Sequence, residues 1–205
     1  MPGRLFLDLD GPALAAELSE ADTAIAEERA RRNIAPGQQI VTWTAKGLTL
    51  MRWGIVPVGR VNARGRPVME TLINARSETV FDKSAYEGVG RAVVPVTGWY
   101  EWTGERRRKT PWRIRGRDGA LLFFAAITDV WHAPGGLALS QVAAVTCSPN
   151  EDVAPIHHRM GVLLRHQDVP LWLTGSAQEV TPLMAPWPKG LLHIEEAKDV
   201  DWDGP

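Results

Sequence analysis

Short β-rich runs, each closed off by proline, glycine or an arginine-rich stretch, constrain the fold of this chain more than any other feature. Runs at residues 40–44 and 48–53 flank Ala45-Lys46-Gly47, which has the composition of a hairpin loop. Further strands are predicted at 92–96, 99–103, 111–115, 121–127, 140–146 and 156–164. Helical pattern is sparser. Residues 11–32 are rich in Ala, Glu and Arg and read as one or two helices. Ser148-Pro149-Asn150-Glu151 has the cap, proline and acid of a helix start, and Pro155 ends that helix early. Small helices are predicted near 168–173 and over 176–184. Strands outnumber helices, so the prediction is an α+β fold: one compact domain around a curved, largely antiparallel sheet or barrel with peripheral helices. The chain has 205 residues and 44% hydrophobic content, enough for one sizeable core. That domain is placed at 1–185, and 186–205 reads as an acidic, loosely held tail.

Cys147 is the single cysteine, so no internal disulfide forms, which suits a reducing, cytoplasmic setting. The longest uncharged apolar stretch, 119–128, falls far short of the roughly 20 residues that span a bilayer. The start, MPGRLFLDLDG, lacks a signal-peptide core and carries two early acids. The expectation is a soluble protein with no membrane partner. Net charge is −1, but residues 29–117 hold 18 Lys and Arg against 6 Asp and Glu, and the remainder holds 5 against 18. Such segregation suits a basic phosphate-binding surface on an acidic body, unless folding mixes the charges.

Three clusters carry chemistry. In Gly98-Trp99-Tyr100-Glu101-Trp102, strand alternation sets Glu101 beside Trp99, where partial desolvation would raise its pKa and suit it to proton transfer. The alternative is an edge carboxylate facing water. Asn74-Ala75-Arg76-Ser77-Glu78 would place an amide and a guanidinium on one face, or form a polar loop. In Ile156-His157-His158-Arg159-Met160, alternation sets His157 and Arg159 together and His158 opposite, with the cation keeping His157 neutral. No CxxC or HExxH completes a metal set, so no metal or cofactor is expected. Cys147 reads as a buried structural thiol. There are nine tryptophans, and Trp53, Trp99, Trp102 and Trp112 interleave with arginines, as single-strand binders require, though core packing is the other reading.

The ordered set Met-x-Gly-Arg, RRNIAPGQ, RWGIVP, INARSET, VVPVTGWYEW and NEDVAPIHHRM resembles the SRAP family, the SOS-response-associated peptidases and abasic-site sensors, from Met1 to about Leu173. The resemblance implies a compact α+β fold with a positively charged groove for single-stranded DNA, and a monomer. It also implies covalent reaction with the aldehyde of an abasic site, and a peptidase name that reflects processing of the N-terminus. It assigns Asn74, Glu101 and His157 to the active site. Arg4, Arg76 and Arg159 become phosphate contacts, Pro36 and Trp53 line the DNA path, and Trp102 stacks on a base.

Four positions depart from the family pattern. Pro2 stands where the family has its nucleophilic cysteine, and Gly161 follows His-His-Arg-Met where the family has proline. Val58-Gly59-Arg60 replaces a tryptophan, and the apolar-Ser-x-x-Val-Asn segment near the C-terminus is not evident. In the family, the cysteine thiol and its α-amine close on the aldehyde as a thiazolidine, which proline cannot do. Removal of Met1 would instead expose a secondary amine at Pro2. An α-amine, with pKa near ~8, is partly unprotonated at neutral pH. The expectation is an iminium adduct and lyase chemistry, with Pro2, Asn74, Glu101 and His157 as the catalytic set. The alternative is a non-catalytic single-stranded DNA-binding paralogue.

Overall fold

The computed structural model describes residues 2–21, 23–56, 71–82, 86, 88–105, 108–132 and 135–204. The strands are β1 (Arg4–Leu7), β2 (Arg31–Ile34), β3 (Gln39–Thr44), β4 (Gly47–Trp53), β5 (Asn74–Arg76), β6 (Gly90–Val96) and β7 (Gly98–Thr103). They continue as β8 (Thr110–Gly116), β9 (Leu122–His132), β10 (Ala138–Cys147), β11 (Met160–Gly161), β12 (Leu163–Leu164) and β13 (Leu192–Glu196). Helices are short: α1 (Gly11–Leu18), α2 (Val169–Thr174) and α3 (Ala177–Val180). One sheet runs β13-β8-β7-β1-β2; the other runs β11-β10-β4-β3-β6-β9-β12, with β5 attached to β10. Since β9 also pairs with β10, the five strands β10-β4-β3-β6-β9 close on themselves and leave no free edge among them. The predicted α+β barrel-like fold holds, with β structure predominating. Residues 57–70, which hold the predicted arginine-rich loop at 60–67 and the departure at Val58-Gly59-Arg60, lie outside the described residues.

The core sits between and inside these sheets. Trp99 of β7 meets Phe124 of β9 edge-on at 5.4 Å, joining the two sheets across a dry interface. Trp172 of α2 is fully buried and donates its indole N–H to Ala92 O at 2.8 Å, which fastens the helix to β6. Burying each such ring contributes about 2–3 kcal/mol.

Four expectations change. The helix at 11–32 stops at Leu18: Asp10 caps its start, and Ser19 turns left-handed at φ 54. Residues 31–34 then join β1 as a strand. At 151–156 there is a turn in place of a helix, because Val153 O takes the N–H groups of both Ile156 and His157 at 2.9 Å. The single strand at 156–164 breaks into β11 and β12 because the chain changes partner: Met160–Gly161 pairs with β10, and Leu163–Leu164 pairs with β9. The segment after Pro186 is docked. β13 pairs with β8, Asn33 Nδ2 donates to Asp201 O and Gly204 O, and Trp202 packs edge-on against Tyr100 at 5.0 Å.

Packing accounts for one departure from the family pattern. A Cβ on Gly161 would lie 1.8 Å from Cε1 of Phe124, itself fully buried. The phenyl ring fills the space a side chain at 161 would need. Gly161→Ala is therefore expected to destabilise the fold by about 1–3 kcal/mol. Phe124→Leu should relieve part of that cost, so the double variant should be more stable than the sum of the single losses. Chemical denaturation checks it, and simple additivity would contradict the packing account.

Candidate functional site

Antiparallel pairing of β1 with β7 carries the start of the chain to Glu101. The register sets Arg4 opposite Tyr100 and Leu5 opposite Trp99, so one further step puts Gly3 beside Glu101. Pro2 is buried there, and Asn74 Nδ2 donates a long hydrogen bond of 3.4 Å to its carbonyl. Asn74 is held in turn by parallel pairing of β5 with β10, opposite Ala144. Its Oδ1 is buried with no hydrogen-bond partner among the described residues. His157 sits on the loop after the 151–156 turn. Its Nδ1 lies 3.0 Å from both the backbone N–H and the carbonyl oxygen of Arg159, so the Arg159 backbone fixes the ring in either tautomer.

Electrostatics mark both titratable groups. Glu101 is 3% exposed, and burial lifts its carboxyl to about 7, against the opposing pull of the amino-terminal charge and the Trp99 indole. The solvent-facing alternative for Glu101 is thereby excluded. His157 is lowered, first by burial, then by the same amino-terminal charge and by His158. Its neutral state matches expectation, but the cause differs: the Arg159 guanidinium is not what suppresses the imidazolium. His157 and His158 also do not point apart, since their rings stack at 4.4 Å. The loop is not a strand, so alternation does not apply. Together these groups offer a proton donor near neutrality, a free amide oxygen and a neutral imidazole around the start of the chain.

The remaining assigned residues divide. Arg76 is exposed at the mouth of β5, and Pro36 is half-buried in the turn after β2. Trp102 is half-buried, with Trp202 across it at 5.4 Å. Arg4 donates to Asn33 Oδ1, and Arg159 forks onto Glu78, so both are engaged within the protein. Trp53 requires correction: it is 1% exposed and donates its indole N–H to Ile73 O at 3.0 Å, so it backs Asn74 from the core and lines no open path. The basic segment is partly neutralised by acids from elsewhere, as Arg113 meets Asp199 at 2.7 Å and Glu195 at 3.4 Å. Cys147 is buried, and its thiol is pushed up to about 11 by burial. Glu78 was missed by sequence reasoning although it ends the Asn74–Arg76 motif region. An acid just past an exposed arginine gave no hint that its partner lay 81 residues away. No group of three or more His, Cys, Asp or Glu able to hold a metal occurs among the described residues. No helix among them is long and apolar enough to cross a membrane.

A two-sheet β fold that folds its own N-terminus against a buried carboxylate and an amide defines the class. The chain belongs to the SRAP family, SOS response associated peptidase, whose pattern matches residues 1–200. It is 33% identical over 149 residues to the abasic site processing protein YoaM of Bacillus subtilis, covering 69% of this chain and 64%, just under two thirds, of YoaM. It is 32% identical over 177 residues to YoqW of the same organism, covering 82% and 75%. Against YedK of Escherichia coli the identity is 30% over 169 residues, covering 78% and 72%. A solved structure from Bacteroides thetaiotaomicron superposes with TM-score 0.84 at 20% identity, covering 96% of this chain and 92% of that one, which establishes the shared fold.

Proposed function

We propose that the protein processes abasic sites in single-stranded DNA, in the DNA-damage (SOS) response, through its N-terminal amine. The observation that carries this reading is the contact of Asn74 with Pro2 beside a buried Glu101 held near 7. With Met1 removed, the secondary amine of Pro2 adds to the open aldehyde and gives a carbinolamine. Protonated Glu101 donates its proton to the departing hydroxyl, which leaves as water, and an iminium cation forms. Asn74 Oδ1 accepts from a sugar hydroxyl, and the His157 imidazole assists opening of the sugar ring. The iminium acidifies the adjacent sugar carbon. Loss of a proton there expels the 3′ phosphate, and hydrolysis of the remaining iminium frees the enzyme. Exposed Arg76 supplies a phosphate contact, and Trp102 a stacking surface. The family's peptidase name fits removal of Met1 better than cleavage of other proteins, since among the described residues no Ser or Cys is placed in the site as a nucleophile.

Borohydride trapping tests the proposal. Wild-type protein mixed with an abasic oligonucleotide and borohydride is expected to give a stable covalent adduct, lost when an N-terminal extension buries the amine in a peptide bond. A chain whose intact mass shows Met1 gone, yet which gives no adduct, would overturn it. A second reading, a binder that has lost its chemistry, is favoured by the missing thiol at Pro2 alone. It predicts affinity for abasic and undamaged strands alike, without any adduct.

A further inference from the structure

Arg159 is the joint of the site. Its Nη1 and Nη2 fork onto Glu78 Oε1 and Oε2, the second at 2.8 Å, and Nη2 also donates to Thr146 O. The Arg159 side chain is only 11% exposed, while that of Glu78 is 51% exposed. Through its backbone, Arg159 donates to His157 Nδ1 at 3.0 Å. Glu78 follows β5, and Ser77 N donates to Thr146 O at 2.8 Å, so the turn after Asn74 is fastened to the same strand end. His157 thus hangs from Arg159, Arg159 hangs from Glu78, and Glu78 lies in the turn that directly follows the strand carrying Asn74. One bidentate ion pair joins two groups of the site that lie on separate segments.

We propose that Glu78 is a positioning residue for the reaction: through the Arg159 guanidinium, it fixes the His157 imidazole relative to the strand that bears Asn74. The reaction part rests on the abasic-site reading above; the positioning part stands on the contacts themselves. The pairing with Arg159 holds the Glu78 carboxyl down at about 2, so the brace stays ionised at neutral and mildly acidic pH. Removing the carboxylate leaves a nearly buried guanidinium without its counter-charge, and the guanidinium then turns outward to water. Arg159's backbone moves with it and releases the His157 ring. The charges that bear on His157 are the amino terminus and His158, stacked on it, while Arg159 acts on it through its backbone.

The experiment compares wild type with Glu78→Gln and Glu78→Asp by three readouts: the NMR titration and tautomer of His157, the single-turnover rate of borohydride-trapped adduct, and affinity for an undamaged single-stranded oligonucleotide. For Glu78→Gln the His157 midpoint is expected to rise toward that of an ordinary exposed histidine as the ring gains water. The rate at saturating DNA falls roughly tenfold through misplacement of the imidazole. Affinity for undamaged strand does not fall, because Arg76 keeps its exposed position and the released Arg159 guanidinium stays positively charged. Glu78→Asp keeps the charge and retains most of both properties. Ile114→Val, a core change on β8 away from the loop, lowers the melting temperature yet leaves the His157 titration alone. An unchanged His157 titration in Glu78→Gln overturns the positioning role, whatever the reaction does. A loss confined to affinity for undamaged strand overturns it also, and makes the pair part of the DNA contact. If wild type yields no adduct, the abasic-site reading fails, and the titration still decides whether Glu78 positions His157.

Discussion

Glu101→Gln is expected to slow adduct formation by about 10²- to 10³-fold while making the protein more stable above neutral pH, two effects of opposite sign from one substitution. Both follow from the same burial. The carboxyl is raised from 4.5 to about 7 in the folded chain, so the folded state binds a proton more tightly than the unfolded state does. The resulting stabilisation is fully present below about 4.5, and it is lost as pH climbs through about 7. By pH 8 the wild type has lost on the order of 3 kcal/mol that a neutral glutamine of the same shape does not lose. Thermal melts at pH 5 and pH 8 should therefore show a gap between variant and wild type that opens with pH. In the same variant, the fall in adduct rate that wild type shows as pH rises through about 7 should disappear, since the titrating donor is gone. A gap that stays constant from pH 5 to pH 8 would mean that the carboxyl is not buried uncharged, and the proton-donor role would fall with it.

Local pattern made much of this molecule legible. Strand periodicity placed Trp99 and Glu101 on one face, and burial did the rest, because a carboxylate beside a large ring on an inward face has little water left to solvate it. The hairpin at Ala45-Lys46-Gly47 was equally local, and Gly47 takes the positive φ of 101 that glycine allows. What could not be read depended on contacts between distant segments. His157 was placed by alternation, but the Val153 carbonyl holds its backbone N–H and the Arg159 backbone holds its ring. Trp53 sits among arginines in the chain and faces inward in space, because Ile73 O accepts its indole N–H. The acids after 186 read as a solvated tail. Glu195 and Asp199 instead meet Arg113 across 82 and 86 residues, while Val200 and Trp202 cover Phe6 and Tyr100. Charge segregation along the chain was real, and folding partly undid it.

Pro2→Cys is expected to convert a transient adduct into a permanent one, the largest change any single substitution here should produce. With Met1 removed, the variant's first residue presents a primary amine and a thiol on neighbouring carbons. Amine and thiol both add to the aldehyde carbon, one water leaves, and a neutral thiazolidine remains. No iminium persists, so neither hydrolysis nor β-elimination has its cationic starting point. The supporting geometry survives the change, because Asn74 contacts the carbonyl of residue 2 and not its side chain. Cysteine also fits the volume that Pro2 occupies. The readout is direct: with an abasic strand and no borohydride, the variant should hold essentially all of its adduct through heating, while wild type should hold none. The native thiol does not confuse the assay, since Cys147 is 3% exposed and pushed up to about 11, so the thiolate needed for attack is scarce. An adduct from the variant that still requires borohydride would show that the aldehyde does not come to rest over position 2, and the register of β1 against β7 would then serve only the fold.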